Sequence, residues 1–391
     1  MRTVLWALGV LLIFSRSAIG YGDKVDTLLN WQERAVAVLT NACRMAPITY
    51  RDRFIGNSGI LLPGNYPAVA PLYWNRELNA AARFHCVEMA LDCGMTHTCN
   101  GVEFGDRLRE FYKKSGYIGE NIAAGYRTPQ DVVNGWLIDG QSVATAAPDG
   151  NGDGHRANIM SSRFTELGCG YFLTGTGRSA TGYWCQDFGG GRSDYSYHPV
   201  YAASHLFYSS DSITFMVNLY DVAETVATLT LLLEGDRLPF VPTMGSAHAG
   251  TWEITVPVAT SCRVYSVEAA FTDGHTLKYP EEGMLTTVGE GSCTETDSGS
   301  SVSMRWESTA ANDRMVSMHR FNNHLEFTAK LSRPSIVSTE LLDCLGRIHH
   351  RYTWRHPSGL SVPLRMIPEG VCLMRHRYSD GTVYVARWVN R

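Results

Sequence analysis

GENIAAG, residues 119–125, places an acid and an amide inside a small-residue run bounded by glycines, and two later stretches belong with it. These are Trp136-Leu137-Ile138-Asp139 and GHRANIM, residues 154–160. Together they supply Glu120, Asp139 and His155, while His97 lies upstream in a turn flanked by Cys93 and Cys99. Two imidazoles and two carboxylates from separate segments are a ligand set suited to a divalent metal or a polarised water. His97, Glu120, Asp139 and His155 are therefore the candidate metal residues, with Zn²⁺ as the candidate ion. Glu120 and His155 become the catalytic candidates if the cleft hydrolyses a substrate.

Around these stretches the first part of the chain mixes helical and strand patterns. Val25, Leu28, Leu29, Ala35, Val36, Leu39 and Cys43 recur at helical spacing and stop before Pro47. A second helix is expected from Arg76 to Asp92, ahead of Gly94, and Thr128-Pro129-Gln130-Asp131 reads as the capped start of a third. Strands are expected at 167–173 and 182–188, with Cys169 facing Cys185 across an antiparallel pair. Helices on a small antiparallel sheet make an α+β domain over 21–190. Gly189-Gly190-Gly191 then opens an expected flexible joint.

These motifs, with Phe164, Leu167-Gly168-Cys169-Gly170-Tyr171 and Tyr183-Trp184-Cys185-Gln186-Asp187-Phe188-Gly189, resemble the CAP superfamily. Its members are the cysteine-rich secretory, antigen 5 and pathogenesis-related proteins, whose shared unit is also called the SCP domain. The likeness covers roughly residues 26–190, and GHRANIM is similar to the bacterial branch. It implies an α-β-α sandwich with a cleft of two histidines and two acids. On that likeness Glu120 is the acid of the first motif, His155 the histidine of the third, and His97 the upstream histidine. Asp139 stands where classical members carry Glu and many bacterial ones Ser. The resemblance also implies binding of lipids or sterols and extracellular signalling, and hydrolysis has been proposed for some relatives.

An insertion between Asp139 and His155 ends in Asp149-Gly150-Asn151-Gly152-Asp153-Gly154. Asp149, Asn151 and Asp153 begin like a calcium loop, but position twelve is Met160 where such a loop needs Glu, so calcium is not the expected ion.

Beyond residue 194 the apolar period changes to two: Ile213, Phe215, Val217 and Leu219 alternate, as do Trp252, Ile254, Val256 and Val258. An immunoglobulin-like β-sandwich over 195–293 is expected. A polar linker (294–303) leads to a second β-rich segment over 304–391 that holds 13 Lys and Arg against 7 Asp and Glu, a balance of +6, while the rest sums to −10. That segment suits an anionic surface. Nothing points to nucleic acid, and adhesion through the two β segments is the alternative to a working cleft.

The amino terminus reads as an export signal: Arg2, an apolar run from Val4 to Phe14, then small residues up to Gly20, after which cleavage is expected. That run is shorter than the ~20 residues of a membrane span. Secretion fits the ten cysteines, which fall in even numbers per segment. Cys93 with Cys99 and Cys169 with Cys185 are the local pairings, leaving Cys43 with Cys86. Cys262 with Cys293 and Cys344 with Cys372 follow in the later segments. Neither Gly-x-Ser-x-Gly nor His-Glu-x-x-His occurs, which favours a binding protein over a hydrolase.

Overall fold

The computed structural model describes residues 30–56, 59–139, 154–174, 181–191, 198–281, 283–291 and the strand segments 316–321, 324–329, 336–342, 348–353, 360–363, 370–378 and 383–390. The export signal, the Asp149–Asp153 loop, Cys293 and Cys344 lie outside the described residues. Among the described residues no helix is long and apolar enough to cross a membrane.

The first helix, α1 (Trp31–Met45), starts at a capping box: Asn30 accepts from the Glu33 amide at 2.8 Å, and Glu33 accepts from the Asn30 amide at 3.2 Å. After α2 (Pro47–Phe54) and the short β1 (Tyr73–Trp74) comes α3 (Arg76–Glu88), which runs into a π-turn at Met89–Cys93. Next are α4 (Phe104–Phe111), β2 (Ile118–Ala124), α5 (Pro129–Ile138) and α6 (Gly154–Met160). Thr128 caps α5 as expected, accepting from the Asp131 amide at 3.1 Å. Strands β3 (Glu166–Thr174) and β4 (Thr181–Gly189) complete a sheet of order β1-β3-β4-β2.

Strand parity assigns the layers. Gly168 and Gly170 of β3 face α3 so closely that a Cβ at 168 would lie 2.1 Å from the Asn79 nitrogen, and one at 170 would lie 2.3 Å from the Ala82 carbonyl carbon. On the other face Gln186 of β4 donates to Thr40 of α1 at 2.6 Å. Helices thus cover both faces, giving the α-β-α arrangement that the resemblance implies.

The same register corrects two disulfides. Cys169 pairs with Gln186 and Cys185 with Gly170, so the two cysteines point to opposite faces. They are buried thiols, as are Cys43 and Cys86, which sit on helices covering different faces of the sheet. Cys93 and Cys99 do form a disulfide. Cys262 is disulfide-bonded as well.

Strands β5 (Val200–Leu206), β6 (Ser212–Tyr220), β7 (Val226–Leu233), β8 (Asp236–Pro239), β9 (Val241–Gly245), β10 (Ala249–Pro257), β11 (Val264–Phe271), β12 (Thr276–Tyr279) and β13 (Leu285–Thr286) make two sheets. Their orders are β5-β6-β10-β9 and β12-β11-β7-β8, with β13 on β11. Ile213, Phe215, Val217 and Leu219 face the second sheet, as their alternation requires. The opposite face is buried too: Met216, Ala202, Leu206 and Met244 join the core around α1. The Trp31 ring stacks on His205 at 5.5 Å, Tyr73 stacks on Tyr201 at 4.1 Å, and Arg53 makes a bidentate ion pair with Glu253 at 2.7–2.8 Å. Helix α1 is therefore enclosed between two sheets, and the first 301 residues form one compact unit. The flexible joint expected after Gly189 does not separate two bodies, because the segments on either side share a core.

Residues 302–391 form a second unit. It contains β14 (Val316–Phe321), β15 (His324–Ala329), β16 (Ile336–Leu342), β17 (Ile348–Thr353), β18 (Leu360–Pro363), β19 (Gly370–Tyr378) and β20 (Val383–Asn390). Their sheets run β14-β15-β18 and β17-β16-β19-β20, so the β-rich expectation holds. Glu340 is fully buried there beside Arg351, which donates to it at 2.7 Å.

Three outcomes follow. Gly170→Ala forces a methyl against helix backbone, and denaturant titration should show a loss at or above the ~1–3 kcal/mol usual for overpacking; Gly64→Ala, with nothing within 4 Å, should be neutral. Calorimetry of residues 21–301 should give one unfolding transition, and two separated ones would contradict the shared core. Alkylation of the denatured, unreduced chain should label Cys43, Cys86, Cys169 and Cys185 but neither Cys93 nor Cys99.

Candidate functional site

Strand β2 is an edge strand, and side chains from the other two motifs cover its outward backbone. Asn158 Nδ2 donates to the Glu120 carbonyl at 3.3 Å, and Trp136 Nε1 donates to the Ile122 carbonyl at 3.0 Å. These contacts blunt an edge that would otherwise offer free carbonyls to another strand. Asn121 faces α6: its Nδ2 donates to the His155 carbonyl and to Gln186 Oε1, both at 3.1 Å, and its Oδ1 accepts from Asn158 at 3.0 Å. Arg156 Nη1 donates to the Leu137 carbonyl at 2.8 Å, tying α6 to the end of α5. The three motif stretches are thus one hydrogen-bonded assembly.

Glu120 points to the α3 and α4 side. Its Oε1 lies 2.8 Å from His97 Nδ1, and its Oε2 accepts from Arg107 Nη2, while Arg107 Nη1 donates to the His97 carbonyl at 3.0 Å. The buried His85 comes within 4.0 Å of Oε1 and reaches the Thr96 carbonyl at 2.9 Å. Burial works against the charged carboxyl of Glu120, but the His97 hydrogen bond, His85 and Arg107 outweigh it and hold the group below the ordinary glutamate range. His97 itself is 47 % exposed, on the loop closed by the Cys93–Cys99 disulfide.

The second pair is Asp139 with His155. Asp139 ends α5 in the left-handed conformation (φ 65°), which Asp tolerates better than most residues. That turn aims its carboxyl at the first turn of α6, where Oδ1 lies 2.5 Å from His155 Nδ1. The Asp139 side chain is only 7 % exposed, and its Oδ2 is buried without a partner among the described residues. The His155 ring is one-third exposed.

All four candidates are therefore placed in pairs, each imidazole held at Nδ1 by a carboxylate. Among the described residues no three of their ligand atoms lie within 4.8 Å of one another. The grouping that does meet that distance is Glu120, Cys185 and Asp187, and it does not suit a cation. Arg107 already occupies Glu120. Burial, then the adjacent Glu120 charge, pushes the Asp187 carboxyl well above the usual aspartate range, and burial likewise raises the Cys185 thiol.

The donor chemistry fits a divalent ion in a different way from the expected four-ligand set. A histidine that donates from Nδ1 to a carboxylate presents its Nε2 lone pair, the usual outer-shell arrangement of metal-binding imidazoles. Among the described residues nothing bonds Nε2 of His97 or His155. Each imidazole could thus offer Nε2 to an ion, with Glu120 standing behind His97 and Asp139 behind His155. Sequence reasoning missed Arg107, His85 and Asp187. Asp187 lay inside a quoted landmark, Tyr183–Gly189, but Arg107 meets His97 and Glu120 from 10 and 13 positions away, and only folding brings these groups together.

Comparisons with known proteins bear on the segment that holds these residues. The family model for the cysteine-rich secretory protein family (CAP) matches residues 41–188. The uncharacterized protein YkwD of Bacillus subtilis is 34 % identical over 83 residues, which are 21 % of this chain and 25 % of that protein. An extracellular protein containing a SCP domain from Bacillus anthracis is 25 % identical over 31 % of this chain and 34 % of its own, with a TM-score of 0.24. Venom allergen-like protein 4 of Schistosoma mansoni is 19 % identical over 44 % of this chain and 97 % of its own, with a TM-score of 0.29. The chain spans about a quarter of the length of the curated relative and about a third of the anthracis protein. The segment that carries the paired histidines and acids, residues 41–188, belongs to the CAP family in its bacterial-like form.

Proposed function

We propose that this chain is an exported recognition protein whose CAP domain binds a divalent ion of the zinc type through Nε2 of His97 and of His155. The observation that supports this reading is the repeated pairing of carboxylate to imidazole Nδ1, 2.8 Å at Glu120 and 2.5 Å at Asp139. Each carboxylate fixes ring orientation and leaves the outer nitrogen as a ligand. The unpartnered Oδ2 of Asp139 adds a buried negative oxygen that favours a nearby cation. A bound ion would supply Lewis-acid attraction for an anionic or carbonyl group of a small ligand, of the lipid or sterol-like class. The chain's own carboxylates orient the imidazoles by accepting from their Nδ1–H groups.

Recognition is preferred to hydrolysis on a specific ground. Among the described residues no Ser, Thr or Cys hydroxyl or thiol is hydrogen-bonded to either imidazole, and Cys43, Cys86, Cys169 and Cys185 are buried with raised thiol pKa. The arginine-rich second unit is proposed to add affinity for an anionic extracellular surface.

Elemental analysis of the purified protein, loaded with Zn²⁺ and desalted, tests the reading. Bound zinc should disappear in His97→Ala and in His155→Ala, while Glu120→Gln should weaken it about 10–100-fold. Zinc retained at wild-type stoichiometry in both histidine variants would refute it. Cleavage of a peptide library that stops with Glu120→Ala would replace it by hydrolysis.

A further inference from the structure

The loop that carries His97 has no regular structure between the π-turn and α4, and an exposed imidazole on such a loop would ordinarily sample several rotamers. Thr98 ties it locally to Thr96 and Glu103, and four further restraints act on it. The Cys93–Cys99 disulfide closes it. Cys99 and Val102 exchange backbone hydrogen bonds of 2.9 and 3.2 Å. His85 Nε2 holds the Thr96 carbonyl at 2.9 Å, and Arg107 Nη1 holds the His97 carbonyl at 3.0 Å. Of these four, only the last reaches the main chain of residue 97, whose ring also meets Glu120 Oε1 and, edge-on, the Phe104 ring.

Arg107 also has a second hand on the same group. Its other terminal nitrogen donates to Glu120 Oε2, and Glu120 Oε1 receives His97 Nδ1. The hydrogen bonds therefore close a circuit: His97 carbonyl, Arg107, Glu120, His97 ring. Holding a residue at its backbone oxygen and at one ring nitrogen fixes both side-chain torsions, which decides where Nε2 points. The guanidinium is 4 % exposed and planar, so its two nitrogens meet two acceptors with little freedom left to lose. Lysine carries the same charge on a single nitrogen without the rigid fork.

We propose that Arg107 is the positioning residue of the His97 half-site, setting the Nδ1–H tautomer and the outward direction of Nε2 by joining the His97 main chain to the Glu120 carboxylate. This rests on His97 being a ligand, yet the part concerning ring orientation is measurable without metal. The role is not that of a charge balancing Glu120 in general, because a lysine would balance it equally well.

The test uses the full chain carrying Arg107→Lys, with Arg107→Gln as a second variant should the lysine form fail to fold. Long-range ¹H–¹⁵N correlation spectra of the histidine rings are recorded without metal, and Zn²⁺ affinity is measured by competition with a chromophoric chelator. In the wild type the His97 ring should show the single Nδ1–H tautomer. In the variant it should average between tautomers while the His155 ring signals stay in place, and zinc should bind about tenfold more weakly. A His97 ring that keeps one tautomer in the variant overturns the proposal. A wild type that takes up no zinc overturns the metal reading alone, since the ring spectra still decide the role of Arg107.

Discussion

The side-chain amide of Asn121 is the constraint from which the site is built. It sits on an edge strand, alternates with Glu120 to the opposite face, and spends its two hydrogens on the His155 carbonyl and on Gln186. A buried amide left without such partners costs on the order of 1–3 kcal/mol, so the network holds as a whole or not at all. Once α6 is pinned to β2 in this way, His155 meets the end of α5, and Asp139 reaches it through one left-handed residue. On the other face the same strand delivers Glu120 to Arg107 and His97. Strand periodicity thus sends the two carboxylate–imidazole pairs out from adjoining backbone while keeping each pair's hydrogen bonds separate.

The second organising feature is the enclosure of α1. Most helices on a sheet bury one stripe, but here Glu33, Ala35, Val36, Ala37, Val38, Leu39, Thr40, Asn41, Ala42, Cys43, Arg44 and Met45 are all buried. Polar members are satisfied individually: Glu33 by Arg83, Asn41 by Leu72, and Arg44 by the carbonyls of Ala70, Ile159 and Ser161. The β5-β6-β10-β9 sheet supplies the cover, and its helix-facing side mixes Met216 with hydrogen-bonded pairs, Asn218 with Thr251 and Thr214 with Thr255. Such polar positions read as solvent-facing in a two-sheet sandwich. The burial of Thr214, Asn218 and Thr251 makes the sandwich a structural part of the first unit and not an appended module.

Much of this could be read directly from residue order. The capped start of α5, the extent of α3, the pair β3 and β4 and the alternation in β6 all follow from patterns within a few positions. Local rules of that kind depend on backbone periodicity and on which side chains satisfy nearby amides, so nearby residues suffice. The disulfide between Cys93 and Cys99 falls in the same class because six positions separate them.

Register, layer order and the partners of buried charges were decided elsewhere. A one-residue offset between β3 and β4 put Cys169 and Cys185 on opposite faces, which alternation within either strand leaves undetermined. Whether Glu120 and Asp139 act as ligands or as the supports behind His97 and His155 depends on which nitrogen each carboxylate meets, a matter of angstroms between distant segments. Residue types and their spacing told of two imidazoles and two acids, while the packing of α1 between two sheets and the reach of Arg107 fixed how those groups face one another, since hydrogen-bond geometry across a core exists only after the chain has closed on itself.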